Sequence, residues 1–253
     1  MSSKCRFFKD KKNDIIHPSS NPIRTYSLSF IHMRILPFLL ILIPIIFSTN
    51  DLSAQRKWKE QYYSELNDDN FRDFKLFNKR LDPQKVDYPL IHAALFYVSN
   101  EARIEQGLNI VDHQPNLEVM AYNHSKAMAQ DNFFDHYHPK NKKRKAPEDR
   151  AKLAGIKNPS IGENIHATGG RQFGTYIELA DHIVQSWIDS PPHRVTLYSP
   201  EALQLGCGIY FYDKKWQDYK DIKKQGNGFW IATQNFQLFT KVKSGSSKDK
   251  GPK

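Results

Sequence analysis

The chain has 253 residues and a formal net charge of +10, with 39% apolar and 13% aromatic residues. This aromatic content supplies enough surface for a packed core, which excludes a chain that is disordered throughout. A single long apolar run excludes a membrane protein with several spans, and the absence of an internal repeat excludes a solenoid. We therefore expect one basic globular domain with an extension.

The apolar run near the N-terminus is typical of a secretory signal peptide. Residues 35–47 carry no charge over thirteen positions, whereas a membrane-spanning helix needs about 20 apolar residues. Arg34 precedes the run, and the small residue Ala54 ends the polar stretch that follows it. The sequence predicts a signal peptide over 1–54, with Met33 as the true start; an uncleaved N-terminal anchor is the alternative. We expect an exported protein, secreted, periplasmic or at the cell surface.

Cleavage after this segment would also decide the cysteine chemistry. It removes Cys5 and leaves Cys207 as the single cysteine. We therefore expect the mature protein to fold without a disulfide bond. Cys207 stands between two glycines of a predicted strand, where a small buried side chain fits better than a reactive thiol, because a reactive thiol needs an exposed, electropositive setting.

The remaining sequence predicts helices first and strands afterwards. Residues 55–87 are polar with scattered aromatic side chains, and we expect a partly helical extension that packs on the main domain, 88–240. Apolar residues at helical spacing predict four helices. Their expected bounds are 88–107, 116–131, 147–155 and a fourth helix from the capping-box pair Thr175 and Glu178 to a stop at Pro191.

The hydrophobic period then changes to that of strands. Segments 205–212 and 229–239 are rich in aromatic and β-branched residues, and the lysine-rich stretch 213–228 connects them. We expect these two strands to pair antiparallel under covering helices, which makes an α+β protein. Residues 241–253 are lysine, serine and glycine for the most part, and we expect a disordered basic tail.

Three loops or element ends combine polar residues that can perform chemistry. His136 follows the second predicted helix, Glu163 enters a predicted strand, and His193 follows the fourth helix. Binding and catalytic residues concentrate at such positions. A His–Glu–His set can transfer protons through imidazoles that a carboxylate orients, or can hold a divalent metal with an open coordination position. Spacing alone leaves both readings open, and it does not establish that the three residues share one site.

Each of these residue types also has a structural interpretation. Glu163 can brace a loop by accepting backbone N–H groups. His124 lies on the apolar face of its helix, which favours a hydrogen-bonded core residue over a ligand. His138 and His166 either rim a cleft or are exposed without a role. The basic run Lys140–Lys145 resembles a nucleic-acid patch, but in an exported protein it favours a solvated loop or a contact with an anionic lipid or glycan surface.

A series of short motifs follows one order from 88 to 239. It comprises Asn100-Glu101-Ala102-Arg103, His124-Ser125, Asn132-Phe133-Phe134 before His136, Asp149-Arg150-Ala151, Gly162-Glu163-Asn164-Ile165, Trp187, Ser190-Pro191 with His193-Arg194, and Trp230, Thr233, Gln234 and Phe236. In this order the series resembles the CAP superfamily of cysteine-rich secretory, antigen 5 and pathogenesis-related 1 proteins, in its disulfide-free bacterial, SCP-like form. The resemblance implies an α-β-α sandwich with a small antiparallel sheet between helices and a central cleft.

The resemblance also implies a site, because the family's cleft carries two histidines and two glutamates. His136, Glu163 and His193 match three of these positions. The second glutamate belongs three residues after Trp187, where this chain has Ser190. The missing carboxylate argues against a two-carboxylate mechanism and removes one metal ligand. We therefore predict no required cofactor, and only weak binding of a divalent metal such as zinc by His136 and His193.

Three functions remain open at this point. The favoured one is an exported module that binds a small-molecule or lipid ligand in the cleft, with Lys140–Lys145 as a contact for an anionic surface. The second is a secreted hydrolase, with or without a metal, that uses His136, Glu163 and His193. The third is a surface or host-interaction protein. No Ser–His–Asp order, His-Glu-x-x-His or phosphate-binding loop supports an enzyme independently. We expect a monomer that does not bind nucleic acid.

Overall fold

The computed structural model describes residues 57–169, 172–214, 216, 228–241 and 250–251. The predicted signal peptide, 1–54, and most of the predicted tail, 241–253, lie outside the described residues. The elements in chain order are α1 (Tyr62–Glu65), a 3₁₀ turn (Phe71–Asp73), α2 (Tyr88–Glu105), β1 (Asp112–His113), α3 (Pro115–Gln130), a 3₁₀ turn (Lys142–Arg144), α4 (Pro147–Leu153), β2 (Ile161–Gly169), α5 (Tyr176–Asp189), α6 (Pro191–Leu197), β3 (Ala202–Tyr212) and β4 (Phe229–Leu238). No helix within these described ranges is long and apolar enough to span a membrane.

The four strands form one sheet in the order β1-β3-β4-β2. β3 and β4 pair antiparallel, which confirms the pairing predicted for the two C-terminal strands. β2 pairs antiparallel with the other side of β4 and forms an edge of the sheet. β1 is only two residues long and pairs parallel with β3. The sheet is therefore mixed, not purely antiparallel as expected, because two residues are too few to show a strand period.

Helices cover both faces of this sheet. Leu205, Cys207 and Ile209 alternate along β3 and pack in one core cluster with residues of α2 and α5. The glycines between them, Gly206 and Gly208, face α3 instead. Because successive side chains of a strand point to opposite faces, the two helix groups lie on opposite sides of the sheet. The predicted α-β-α sandwich is confirmed, and Cys207 is buried as expected.

Helix α3 lies directly on the backbone of β3. A Cβ atom added to Gly208 would lie 2.0 Å from the backbone nitrogen of Tyr122, and one added to Gly206 would lie 2.1 Å from that of Glu118. No side chain fits at either position while the helix stays in place. The two glycines therefore set the distance between α3 and the sheet.

The predicted helices are confirmed, with one difference at the fourth. Thr175 and Glu178 form the expected capping box at the start of α5. Pro191 was predicted to stop this helix, but α5 already ends at Asp189, and Pro191 is the first residue of α6. Proline is tolerated in the first turn of a helix, where its missing N–H has no intrahelical partner anyway. The second of these two helices, α6, matters for the site because it carries His193.

The segment before α2 joins the main core through aromatic rings and one buried carboxylate. Trp58 packs against the rings of Tyr62, Tyr63, Phe74, Phe77 and Tyr97. The Tyr63 hydroxyl donates a hydrogen bond of 2.9 Å to Oε2 of Glu118 at the start of α3. His113 Nε2 lies 2.8 Å from the same oxygen, and His92 Nδ1 lies 3.2 Å from Oε1. One carboxylate thus contacts the N-terminal segment, α2 and β1.

Candidate functional site

The candidate site is built on Glu163, in the edge strand β2. His136, in the loop after α3, places Nδ1 2.9 Å from Oε1 of Glu163. Arg150, on α4, donates from Nη2 to Oε2 of Glu163 at 2.6 Å. The Glu163 and Arg150 side chains are 3% and 2% exposed, whereas the His136 side chain is 40% exposed. A buried ion pair therefore supports a half-exposed imidazole.

Arg150 also fixes the loop that carries His136. Its Nη1 group lies within hydrogen-bond distance of the backbone carbonyls of His136, Arg144 and Lys145, at 2.9, 3.3 and 3.2 Å. One guanidinium thus holds both ends of the loop and the Glu163 carboxylate together. The basic run Lys140–Lys145 is part of this loop, and its lysines are exposed.

His138 holds the middle of the same loop. It is 4% exposed, and its Nδ1 accepts from the backbone N–H groups of Lys140 and Asn141. Its Nε2 lies 2.9 Å from Oδ2 of Asp131. Neither alternative expected for this residue, a cleft rim or an idle surface position, is correct. His138 is a buried part of the loop's own structure.

His124 occupies a position between the core and the site. It is 1% exposed, and its Nε2 donates to the carbonyl of Asp135 at 3.1 Å, which confirms the predicted hydrogen-bonded core residue. The same nitrogen lies 3.8 Å from Oε1 of Glu163. His124 therefore also forms part of the surroundings of the site carboxylate, which its helix position alone did not indicate.

His193 contacts β2 through Asn164, whose side chain projects from the face of the sheet opposite to that of Glu163. It lies on α6, and its backbone carbonyl accepts a hydrogen bond of 3.0 Å from Nδ2 of Asn164. Burial and the positive charge of His136 both lower the pKa of His193, so the two imidazoles are electrostatically coupled. Among the described residues, no hydrogen bond joins the His193 ring to His136 or Glu163. A single cleft that contains all three remains a prediction.

Two further candidates lie beside this region. Ser190 separates α5 from α6, and its carbonyl accepts from the backbone N–H of Arg194. His166, two positions after Asn164 on the same face of β2, lies 5.8 Å from the His182 ring. Burial, followed by the charges of His182 and His193, lowers the pKa of His166 to about 4. His166 is therefore neutral at neutral pH.

The electrostatics of the site keep Glu163 ionised. Burial alone would raise the pKa of its carboxyl group, but the charges of His124 and Arg150 and the hydrogen bonds from His136 and Arg150 lower this pKa to about 2. Burial lowers the pKa of His124 to about 4, so His124 contributes a charge only in acid. The hydrogen bond to Glu163 raises the pKa of His136 against the opposing effect of burial.

The residues present fit a metal only in part. The described residues contain no group of three or more His, Cys, Asp or Glu side chains placed to hold a metal ion. Both Glu163 oxygens already accept hydrogen bonds, from His136 and from Arg150. Glu163 therefore suits the role of a carboxylate that orients a histidine ligand, not that of a ligand. Of the predicted site residues, His136 Nε2 and the His193 ring are left as candidate donor atoms for a divalent ion.

The low pKa of Glu163 predicts a specific dependence of stability on pH. The carboxyl pKa is about 2 in the folded protein against an ordinary 4.5, so the ionised form stabilises the fold above about pH 4.5. This stabilisation, up to ~3 kcal/mol, is lost as the pH falls towards 2. Urea unfolding of the wild type and Glu163→Gln should show a stability difference that shrinks as the pH falls from about 4.5 towards 2. The difference should also decrease as the pH rises through the raised pKa of His136, because only the wild type has the charged partner that raises this pKa. A difference that stays constant down to pH 2 would contradict the assignment.

Comparison with known proteins gives the family. The model of the CAP, or cysteine-rich secretory protein, family matches residues 96–236, more than half of the chain. An uncharacterised membrane protein of Bacillus subtilis (strain 168), YlbC, is 29% identical over 128 residues, which cover 50% of this chain and 33% of that protein. A second uncharacterised protein of that strain, YkwD, is 30% identical over 111 residues, 44% of this chain and 39% of its own length. The chain thus spans well under half of these relatives.

Two solved structures are also similar. One is an extracellular protein containing an SCP domain from Bacillus anthracis str. Ames, with a TM-score of 0.47 and 24% identity, over 62% of this chain and 44% of that one. The other is an outer surface protein from Borrelia burgdorferi, with a TM-score of 0.42 and 15% identity, over 64% and 98%. The family match covers α2 through β4 in part or whole, together with His136, Glu163 and His193. The chain belongs to the CAP family of cysteine-rich secretory proteins.

Proposed function

We propose that this protein is an exported CAP-domain module that binds a small-molecule or lipid ligand through its polar head, in a cleft formed by His136, Glu163 and His193. The observation that carries the proposal is the half-exposed His136 imidazole, backed by the buried Glu163–Arg150 pair. A carboxylate behind an imidazole favours its protonated form. His136 then presents a charged donor to solvent, which suits an anionic or hydrogen-bond-accepting head group.

The same contacts argue for binding over hydrolysis. A general base must have a free lone pair and a pKa near the working pH. Glu163 has both oxygens engaged and a pKa of about 2. Ser190 supplies no second carboxylate. The hydrolase alternative would therefore have to rest on the two imidazoles, with or without a metal.

The basic loop favours an anionic surface as a second partner. Lys140, Lys142, Lys143 and Lys145 are exposed on the loop that also carries His136. Clustered lysines attract anionic lipid or glycan, with an effect that salt screens. Export through the signal peptide predicted over 1–54 would bring the loop to such a surface.

Native mass spectrometry of the protein purified from its own host tests the ligand proposal. We expect a bound species that wild type retains and that His136→Gln loses, because the substitution removes the charged donor. Lys241→Gln is the matched control, since it removes an exposed charged donor whose partner Asp112 lies in β1, at the opposite edge of the sheet from β2. Equal retention by His136→Gln and wild type, or the absence of any bound species, would refute the proposal.

Zinc binding is predicted to be weak and to require both histidines. Isothermal titration of Zn²⁺ should show exchangeable binding to wild type and none to the double variant His136→Ala/His193→Ala. The thermal midpoint of the double variant should stay close to that of the wild type, because Glu163 keeps its hydrogen bond to Arg150. Affinity should fall in acid as the imidazoles take up protons. Glu163→Gln should weaken binding by about 10–100-fold if Glu163 orients His136. Equal heats from wild type and the double variant would exclude these ligands.

A further inference from the structure

Several polar atoms around Glu163 are buried without a hydrogen-bond partner in the protein. Within the described part of the chain these include His124 Nδ1, Arg150 Nε and both side-chain polar atoms of Asn235. The three residues are at most 2% exposed. Native proteins leave few buried polar groups unpaired, and each exception needs a cause. Because these exceptions adjoin one side chain, they point to a common cause.

Three contacts place the residues beside Glu163. Arg150 bonds Oε2 directly, and His124 Nε2 lies 3.8 Å from Oε1. Asn235 is the cross-strand partner of Glu163 in the pairing of β2 with β4. Cross-strand partners project from the same face of a sheet and have neighbouring Cβ atoms. Asn235 and Glu163 therefore share a face.

That face is the one that α3 covers. Thr233 lies two residues before Asn235 in β4, so its side chain projects to the same side. The Thr233 hydroxyl lies 2.8 Å from the hydroxyl of Ser125 on α3. The unpartnered amide of Asn235 is therefore enclosed between the sheet and α3, behind the Glu163 carboxylate and away from solvent.

The unpartnered atoms have complementary needs. His124 Nε2 donates to a carbonyl, and its ring is neutral above about pH 4, so Nδ1 is a bare acceptor. Arg150 Nε–H is a donor, and the Asn235 amide offers two donors and an acceptor. A water molecule satisfies such a set, because it both donates and accepts. Buried waters in proteins make about three hydrogen bonds to groups of this kind.

We propose that ordered water is bound between α3 and the sheet beside Glu163, held by the Asn235 amide, His124 Nδ1 and Arg150 Nε–H. This water site lies behind the ion pair and is independent of the ligand that the cleft binds. The water supplies hydrogen-bond partners to the Asn235 amide, His124 Nδ1 and Arg150 Nε–H, which would otherwise be unpaired. Asn235 has no role in the family motifs used above and is assigned one here.

The direction in which Asn235→Leu shifts the thermal midpoint distinguishes a site that contains water from one that does not. Asn235→Leu replaces the amide by an apolar side chain of similar volume. If water is bound, the substitution expels it and leaves His124 and Arg150 unpaired, so the thermal midpoint should fall, by ~3 °C or more. If the amide is dry, removing an unpaired buried polar group should raise the midpoint. Thr233→Val is the matched control, since it removes a buried polar group of the same strand and face whose partner lies in the protein.

Wild-type protein provides a second test that does not depend on the variant's folding. With ¹⁵N-labelled protein, the Asn235 side-chain amide should show a nuclear Overhauser effect from a long-lived water molecule. The same effect should be absent from the side-chain amide of Gln234, whose Nε2 donates to Ser99 and whose Oε1 accepts from Asn164. A raised midpoint in Asn235→Leu, or a water signal no stronger at Asn235 than at Gln234, would overturn the proposal.

Discussion

Replacing Arg150 with methionine should lower the free energy of unfolding by about 3–5 kcal/mol, the usual cost of breaking a buried ion pair from one side. The substitution leaves the Glu163 carboxylate, which is 3% exposed, without the guanidinium that pairs with it. It also removes the donor to three backbone carbonyls of the loop that carries His136. Urea denaturation at pH 7 measures the loss.

Two variants make this result specific. Arg72→Met is the matched control, because Arg72 contacts Glu101 and Asp181 at a surface where its side chain is 46% exposed. Exposed pairs contribute about 0–1 kcal/mol, so this control should lose far less. In the double variant Arg150→Met/Glu163→Gln, the uncompensated charge is gone, and part of the stability should return. Equal losses from Arg150→Met and Arg72→Met would show that burial does not matter at this pair.

Gly208→Ala should destabilise the protein by about 3 kcal/mol or more, at or above the upper end of overpacking costs. The added Cβ would lie 2.0 Å from the backbone nitrogen of Tyr122, so a helix must move, not a side chain. Because α3 also carries His124 and leads into the His136 loop, the displacement should reach the candidate site. Thermal unfolding, with an amide NMR spectrum of the folded fraction, measures both effects.

Gly162→Ala is the control for this substitution. The nearest atom to a Cβ at Gly162 would be the side-chain methyl Cγ2 of Thr196, at 3.1 Å. A side chain can give way by a few tenths of an ångström, so we expect a loss of ~1 kcal/mol or less. Similar losses at the two positions would mean that the helix contact of Gly208 is not a constraint.

The sequence predicted the parts of the fold that periodicity controls. The 3.6-residue spacing of apolar residues located α2, α3 and α5, although α2 is buried on nearly all sides. Aromatic and β-branched residues located β3 and β4. The sequence did not predict β1, because its two residues form a strand by pairing with β3 and have no hydrophobic pattern of their own. The sequence predicted that Pro191 ends the fourth helix, whereas Pro191 begins α6. A proline prevents a helix from continuing but is tolerated in the first turn of the next helix.

The candidate site was predictable in its residues but not in its contacts. The family motifs named His136 and Glu163, and the structure joins them at 2.9 Å. Arg150 belongs to the motif Asp149-Arg150-Ala151, but the spacing of this motif did not show that a guanidinium from α4 would bind Glu163. His124 had the periodicity of a core residue and is one, so its position near the carboxylate gave no separate signal. Contacts between elements distant in sequence depend on packing angles that no local pattern encodes.

The contacts of the Glu118 carboxylate determine how far the N-terminal segment can be truncated without loss of stability. This carboxylate is held by Tyr63 from the N-terminal segment, His92 from α2 and His113 from β1. Burial opposes its ionisation, yet the hydrogen bonds from His113 and His92 lower its pKa to about 2. The family match begins only at residue 96. A fragment trimmed to the family motif would lose the donors Tyr63 and His92 and leave the charged carboxylate with one of its three partners. We therefore expect the smallest cooperative folding unit to include Tyr63 and His92, which both precede the residues that the family model matches.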